Sequence, residues 1–145
     1  MKKVIPLLIL LSTFTISCGK KPIGSSTKNV PDAPLTNTRW KLVKLPGMEM
    51  PPLHKEAFIQ FDPTEKRAFG SGGCNNIFGG YEQAGNSLKF GPMGSTMMAC
   101  PPEIMKVESA FAAALKETDN FIIAGDTLQL RKGDSILAEL LTAKK

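Results

Sequence analysis

The sequence predicts an α+β domain: a small antiparallel sheet or partly closed β-barrel with one capping helix at about residues 103–118. Three observations lead there. Short segments with alternating apolar residues recur from Arg39 onward, one segment after Pro102 carries apolar residues at three- and four-residue steps, and strand-like segments resume behind it. Strands, one helix and strands again make a sheet whose apolar face the helix can cover.

Trp40 to Leu45 is the first strand, with Trp40 and Leu42 on one face and an indole N–H that needs a partner once buried. Phe58 to Phe61 follows, stopped by Asp62 and Pro63, and then Arg67 to Gly70. Tyr81 to Phe90 is a hairpin turning at Ala84 to Asn86, where Gly and Asn suit the turn. Pro101 and Pro102 suit the start of a helix, Glu103 complements its dipole, and Ile104, Val107, Phe111, Ala114 and Leu115 mark its core face. Phe121 to Ala124, Thr127 to Leu130 and Ile136 to Leu141, separated by Gly-Asp and Lys-Gly-Asp, complete a three-stranded meander.

The N-terminus is set apart from this domain. Met1, Lys2 and Lys3 precede an apolar run from Val4 to Leu11 that is shorter than the ~20 residues of a membrane-spanning helix. Residues 1–17 are expected to be a signal peptide ending at Ser17, with Cys18 the lipidated residue of the mature protein. This resembles a bacterial lipoprotein signal, although Thr15 stands where leucine is usual. By that resemblance, Gly19 after the cysteine implies the outer membrane, the protein facing the periplasm or the surface. Residues 18–38 then form a lipidated cysteine and flexible tether, rich in Ser, Thr, Pro and Gly, which holds the domain of residues 39–145 on the order of 25 Å from the lipid.

Composition narrows the function. Without Lys2 and Lys3 the chain has 16 basic and 13 acidic residues, net +3, and only three arginines. No basic cluster with interleaved aromatics exists, so no nucleic-acid partner is expected. A structural zinc site wants four Cys or His ligands, whereas the mature domain has Cys74, Cys100 and His54, so no metal or other cofactor is expected. His54 would also be the sole histidine available to a serine hydrolase, and no Gly-x-Ser-x-Gly is present. No catalytic residues are assigned.

Two blocks concentrate the remaining information: GSGGCNNIFGGY from Gly70 to Tyr81 and GSTMMACPPE from Gly94 to Glu103. An exported chain can form a Cys74–Cys100 disulfide, with two buried thiols or a redox pair as alternatives. The glycines do not spell a phosphate-binding motif and suit tight turns and bulges. Asn75, Asn76 and Tyr81 are the candidate binding rim. Met93, Met97, Met98 and Met105 suit core packing or an adaptable surface.

Trp40-x-Leu42, Gly70-x-x-Gly73-Cys74-Asn75, Gly80-Tyr81, Leu88-x-Phe90, Ser95-Thr96-x-Met98-Ala99-Cys100, Glu108-x-x-Phe111-x-x-x-Leu115 and Leu128-x-Leu130 together resemble a META domain, the HslJ-like family. The resemblance spans Arg39 to Leu141. It implies a cone-like antiparallel barrel, frequent attachment to lipoprotein leaders and a link to heat or envelope stress, but no defined reaction. The expected function is a non-catalytic envelope lipoprotein acting as a stress-related binding module, its partner an unknown protein or small ligand. The alternative is an inhibitor-like lipoprotein that blocks a periplasmic or host hydrolase through the proline-stiffened loop from Pro46 to Lys55.

Overall fold

In the computed structural model, which describes residues 31–143, alternation of apolar and polar residues produces eight strands. They are β1 (Arg39–Lys44), β2 (Phe58–Asp62), β3 (Arg67–Ser71), β4 (Asn76–Ala84), β5 (Ser87–Ser95), β6 (Asn120–Ala124), β7 (Thr127–Lys132) and β8 (Ser135–Thr142), with one helix among the described residues, α1 (Pro102–Glu117). All neighbours are antiparallel and in chain order, and β8 returns to β1 through the pairs Trp40↔Thr142 and Leu42↔Leu140. The ring is therefore closed, where the sequence suggested a sheet or a partly closed barrel.

Closure is uneven. β4 and β5 pair over most of their length, but β5 meets β6 only at Ser87↔Asn120. The two strands run apart from that point, and α1, which lies between them in sequence, fills the seam against β5, β7 and β8. Its apolar stripe of Ile104, Val107, Phe111, Ala114 and Leu115 is buried. Phe111 is fully buried, and its truncation to alanine would cost about 3–5 kcal/mol. Pro102 occupies the first turn, where a missing N–H costs nothing, and the chain turns extended at Thr118, whose hydroxyl donates to the Ala114 carbonyl.

Asp119 ties off the lower end of the seam. Its backbone carbonyl accepts from Leu88 N–H, its N–H donates to Arg131, and its carboxylate accepts from Gly133 N–H and the Asn120 side-chain amide. These bonds, Gly133 first, hold its pKa below the ordinary aspartate range. Inside the ring, Trp40, Ile59, Phe61, Leu88, Leu128, Leu130 and Leu140 form one core with the helix residues Val107, Phe111, Ala114 and Leu115, with Phe61 edge-on to Tyr81 at 5.1 Å.

The antiparallel order assigns the connections to two ends. The N-terminal segment and the β2–β3, β4–β5 and β6–β7 turns share one end; the β1–β2, β3–β4 and β7–β8 connections and the β5–α1 loop share the other.

Two expectations need correction. The folded unit begins before Arg39: Leu35 is buried, the Trp40 indole donates to its carbonyl at 2.9 Å, and Asp32 and Ala33 bond to Gly125. Residues 32–38 thus belong to the domain and not to a tether, because they supply the partner that the buried indole requires. Likewise β4 starts at Asn76 and β5 runs on to Ser95, well beyond the expected hairpin of Tyr81 to Phe90. Gly79 and Gly80, which read as turn formers, lie within β4, and at Gly79 a Cβ would come 2.4 Å from Met93 Sδ of β5. Cys18 and residues 1–17 lie outside the described residues.

Candidate functional site

Helix α1 carries one charged residue on its buried stripe, Glu108, and the two cysteine blocks are assembled around it. The Glu108 carboxylate accepts from the Asn75 N–H at 2.6 Å and from Asn75 Nδ2 at 2.8 Å. Asn75 Nδ2 also donates to the Met98 carbonyl at 3.3 Å, while its Oδ1 accepts from Thr96 Oγ1 at 2.9 Å and the Met98 N–H at 2.7 Å. One side chain therefore links the β3–β4 loop, the β5–α1 loop and the helix, with every polar atom of its amide in use.

Local backbone makes room for this contact. A Cβ on Gly72 would lie 2.5 Å from Glu108 Cγ, so only glycine lets the carboxylate reach Asn75. Gly73 turns the chain at φ +107, a conformation that L side chains rarely adopt, and its N–H donates to the Ser71 hydroxyl. The loop then closes covalently: Cys74 and Cys100 form a disulfide with Cα atoms 6.3 Å apart, across 26 residues. On a loop-entropy estimate this bridge contributes about 3 kcal/mol.

The proposed rim does not assemble as a presented surface. Asn75 is buried and saturated by its four side-chain hydrogen bonds, and Tyr81 is buried in the ring with its hydroxyl on the Asp62 carbonyl. Burial first, then the Asp62 charge, raises the Tyr81 pKa above the ordinary phenol value. Asn76 alone of the three is exposed, its Oδ1 accepting from Lys55 Nζ at 2.5 Å. His54 is exposed in the β1–β2 loop, whereas Met48, Met50 and Leu53 of that loop pack against the core.

Beyond the saturated centre the surface is apolar. Met97 is 98% exposed and Met98 52%, at the tip of the β5–α1 loop. Phe69 and Phe78, each 42% exposed, pair directly across β3 and β4 on the outside of the ring, and Phe78 pairs in turn with Gly94. A shallow depression of about 340 Å³ beside the loop is lined by Asn75, Thr96, Met97, Met98, Met105 and Glu108. Glu108 was missed as a site residue in the sequence, although one signal existed: a carboxylate on an otherwise apolar stripe requires a buried partner.

A closed antiparallel ring sealed by one helix, with two loops cross-linked at one end around an Asn–Glu pair, defines the class of protein. The META domain pattern matches residues 33–144, and the chain belongs to the META domain family. The matched start agrees with the docking of Ala33 onto the barrel. Two solved structures, both determined by NMR, share the fold. One, from Burkholderia xenovorans, is 24% identical, with 88% of this chain and 99% of that one covered and a TM-score of 0.59. The other is 23% identical, with 74% and 91% covered and a TM-score of 0.58. No curated protein matches the chain.

Proposed function

We propose that this protein is a non-catalytic lipoprotein of the cell envelope, held by lipid on Cys18, whose META domain is a stress-related interaction module. The observation that carries this is the apolar surface of Phe69, Phe78, Met97 and Met98, which the domain leaves exposed next to its most heavily braced loops. Methionine and phenylalanine cost free energy in water, and flexible methionines adapt to varied apolar partners. Asn75, Thr96 and Glu108 support a non-catalytic role, because their side chains are spent on one another. The end that carries Met97 is opposite the end where the described chain begins, so an anchor upstream of Asp32 leaves the apolar surface free to meet a partner.

The test places a photo-crosslinking residue at Met97, and a control at Asn86 in the opposite turn, in heat-stressed cells. Capture of a discrete partner from position 97 and not from 86 is the expected result; equal capture from both, or none, refutes the interaction surface. Palmitate-analogue labelling that disappears in Cys18→Ser, together with release from the membrane, is expected for the anchor. Unchanged membrane association in that variant refutes it.

A further inference from the structure

The incomplete β5–β6 seam leaves a groove on the outside of the molecule, about 760 Å³ in volume, between β5 and α1. Its walls are Phe90, Gly91, Pro92 and Met93 on the strand and Ala112, Ala113 and Lys116 on the helix. The volume falls within the ~300–1,000 Å³ of small-molecule sites. We propose that this groove binds a single-chain anionic amphiphile, the apolar chain lying along Pro92, Met93, Ala112 and Ala113 and the acidic head at Lys116.

Shape and charge both select that occupant. The helix runs antiparallel to β5, so Phe90 and Lys116 lie towards one end of the groove and Met93 and Ala112 towards the other. Small helix residues leave an apolar channel in which a flexible hydrocarbon replaces water. The cations gather at one end. Lys116 has no ion pair among the described residues, and a neighbouring depression, which shares Phe90 and Gly91 with the groove, is lined by Lys66 and Lys89 against the single acid Glu82. Lys116 lines the groove from the last turn of α1.

The other occupant suited to an open strand edge is an extended peptide, and β5 is poorly built for it. Pro92 has no N–H to donate. The register with β4 slips between the pairs Gly79↔Met93 and Tyr81↔Phe90, which places the extra residue of a bulge within β5 beside Pro92. A bulge and a proline in mid-edge break the regular ladder that strand addition requires. A hydrocarbon chain needs no ladder.

The groove stands apart from the Met97–Met98 surface, so the proposal does not depend on the interaction module being correct. The experiment uses the full chain carrying Cys18→Ser, which cannot bear a covalent lipid of its own, titrated with dodecanoate below its micelle concentration and followed by backbone amide NMR. Saturable one-to-one binding is expected, with the largest shifts at Gly91, Met93, Ala112 and Ala113. Lys116→Glu should weaken it about tenfold, equivalent to ~1.4 kcal/mol. Ala113→Trp should abolish it by filling the channel, Met97→Ser should leave it unchanged, and dodecyltrimethylammonium should bind more weakly than dodecanoate. Both groove variants alter exposed residues, and an unchanged melting temperature confirms that they fold. The proposal is overturned by no saturable binding, by binding that survives Ala113→Trp, by equal affinity for the cationic amphiphile, or by an extended apolar peptide that occupies the groove while dodecanoate does not.

Discussion

Exchanging the amide of Asn75 for a carboxylate, Asn75→Asp, isolates what holds the two cysteine loops to the helix. The side chain keeps its shape and its Oδ1, which can still accept from Thr96 and Met98. It loses both Nδ2 bonds, to the Met98 carbonyl and to Glu108. In their place a second carboxylate faces that of Glu108 across the present 2.8 Å contact, where like charges repel by about 6 kcal/mol at an effective dielectric near 20. Relaxation of the loop reduces this, so a net loss of about 4 kcal/mol is expected. Asn75→Ala should cost a similar amount through four lost hydrogen bonds at about 1 kcal/mol each. Either loss is a large share of the ~5–15 kcal/mol that stabilises a domain. Urea unfolding followed by fluorescence of the buried Trp40 measures it, with a constant m-value confirming that stability alone has changed. An Asp variant within about 1 kcal/mol of wild type, beside an Ala variant that loses ~4 kcal/mol, would refute the donor role of Asn75 and leave only its shape.

Removing the disulfide with Cys100→Ala should lower stability by about 3 kcal/mol without unfolding the domain, since Asn75 still pins the β5–α1 loop; quantitative alkylation of Cys74 and Cys100 in the unreduced native protein would show that the bridge is absent. Leu35→Ala should cost about 2–3 kcal/mol, and a chain begun at Arg39 more, because the Trp40 indole then lacks its acceptor; equal denaturation midpoints would return residues 32–38 to the tether. For Asp119 the folded pKa is depressed, so its contribution is present at neutral pH and is lost as pH falls from the ordinary carboxylate value near 4 through the lower folded value. The stability gap between wild type and Asp119→Ala should therefore narrow in acid, and a gap that widens below pH ~4 would contradict the assignment.

What could be read from the chain was what local chemistry decides. Trp40 and Leu42 alternate with polar neighbours, so their strand and its inner face follow from the two-residue period. Ile104, Val107, Phe111 and Leu115 recur at helical steps behind two prolines, so α1 was placed to within a residue. Cys74 and Cys100, on the expectation of export, were candidates for the bridge that the structure contains. Tertiary structure alone decided the rest. Asn75 reads as a turn residue at a rim because nothing nearby in sequence offers it a buried partner; Glu108, which takes that place, is 33 residues away. Gly79 reads as a turn or bulge residue because glycine has little strand propensity, yet it lies within β4, where a Cβ would come 2.4 Å from Met93 Sδ and 2.8 Å from the Pro92 carbonyl oxygen of β5. Closure of β8 on β1, docking of Leu35 beneath Trp40 and the groove left where β5 parts from β6 all depend on segments far apart in the chain, whose pairing is set by shared burial and not by any local pattern.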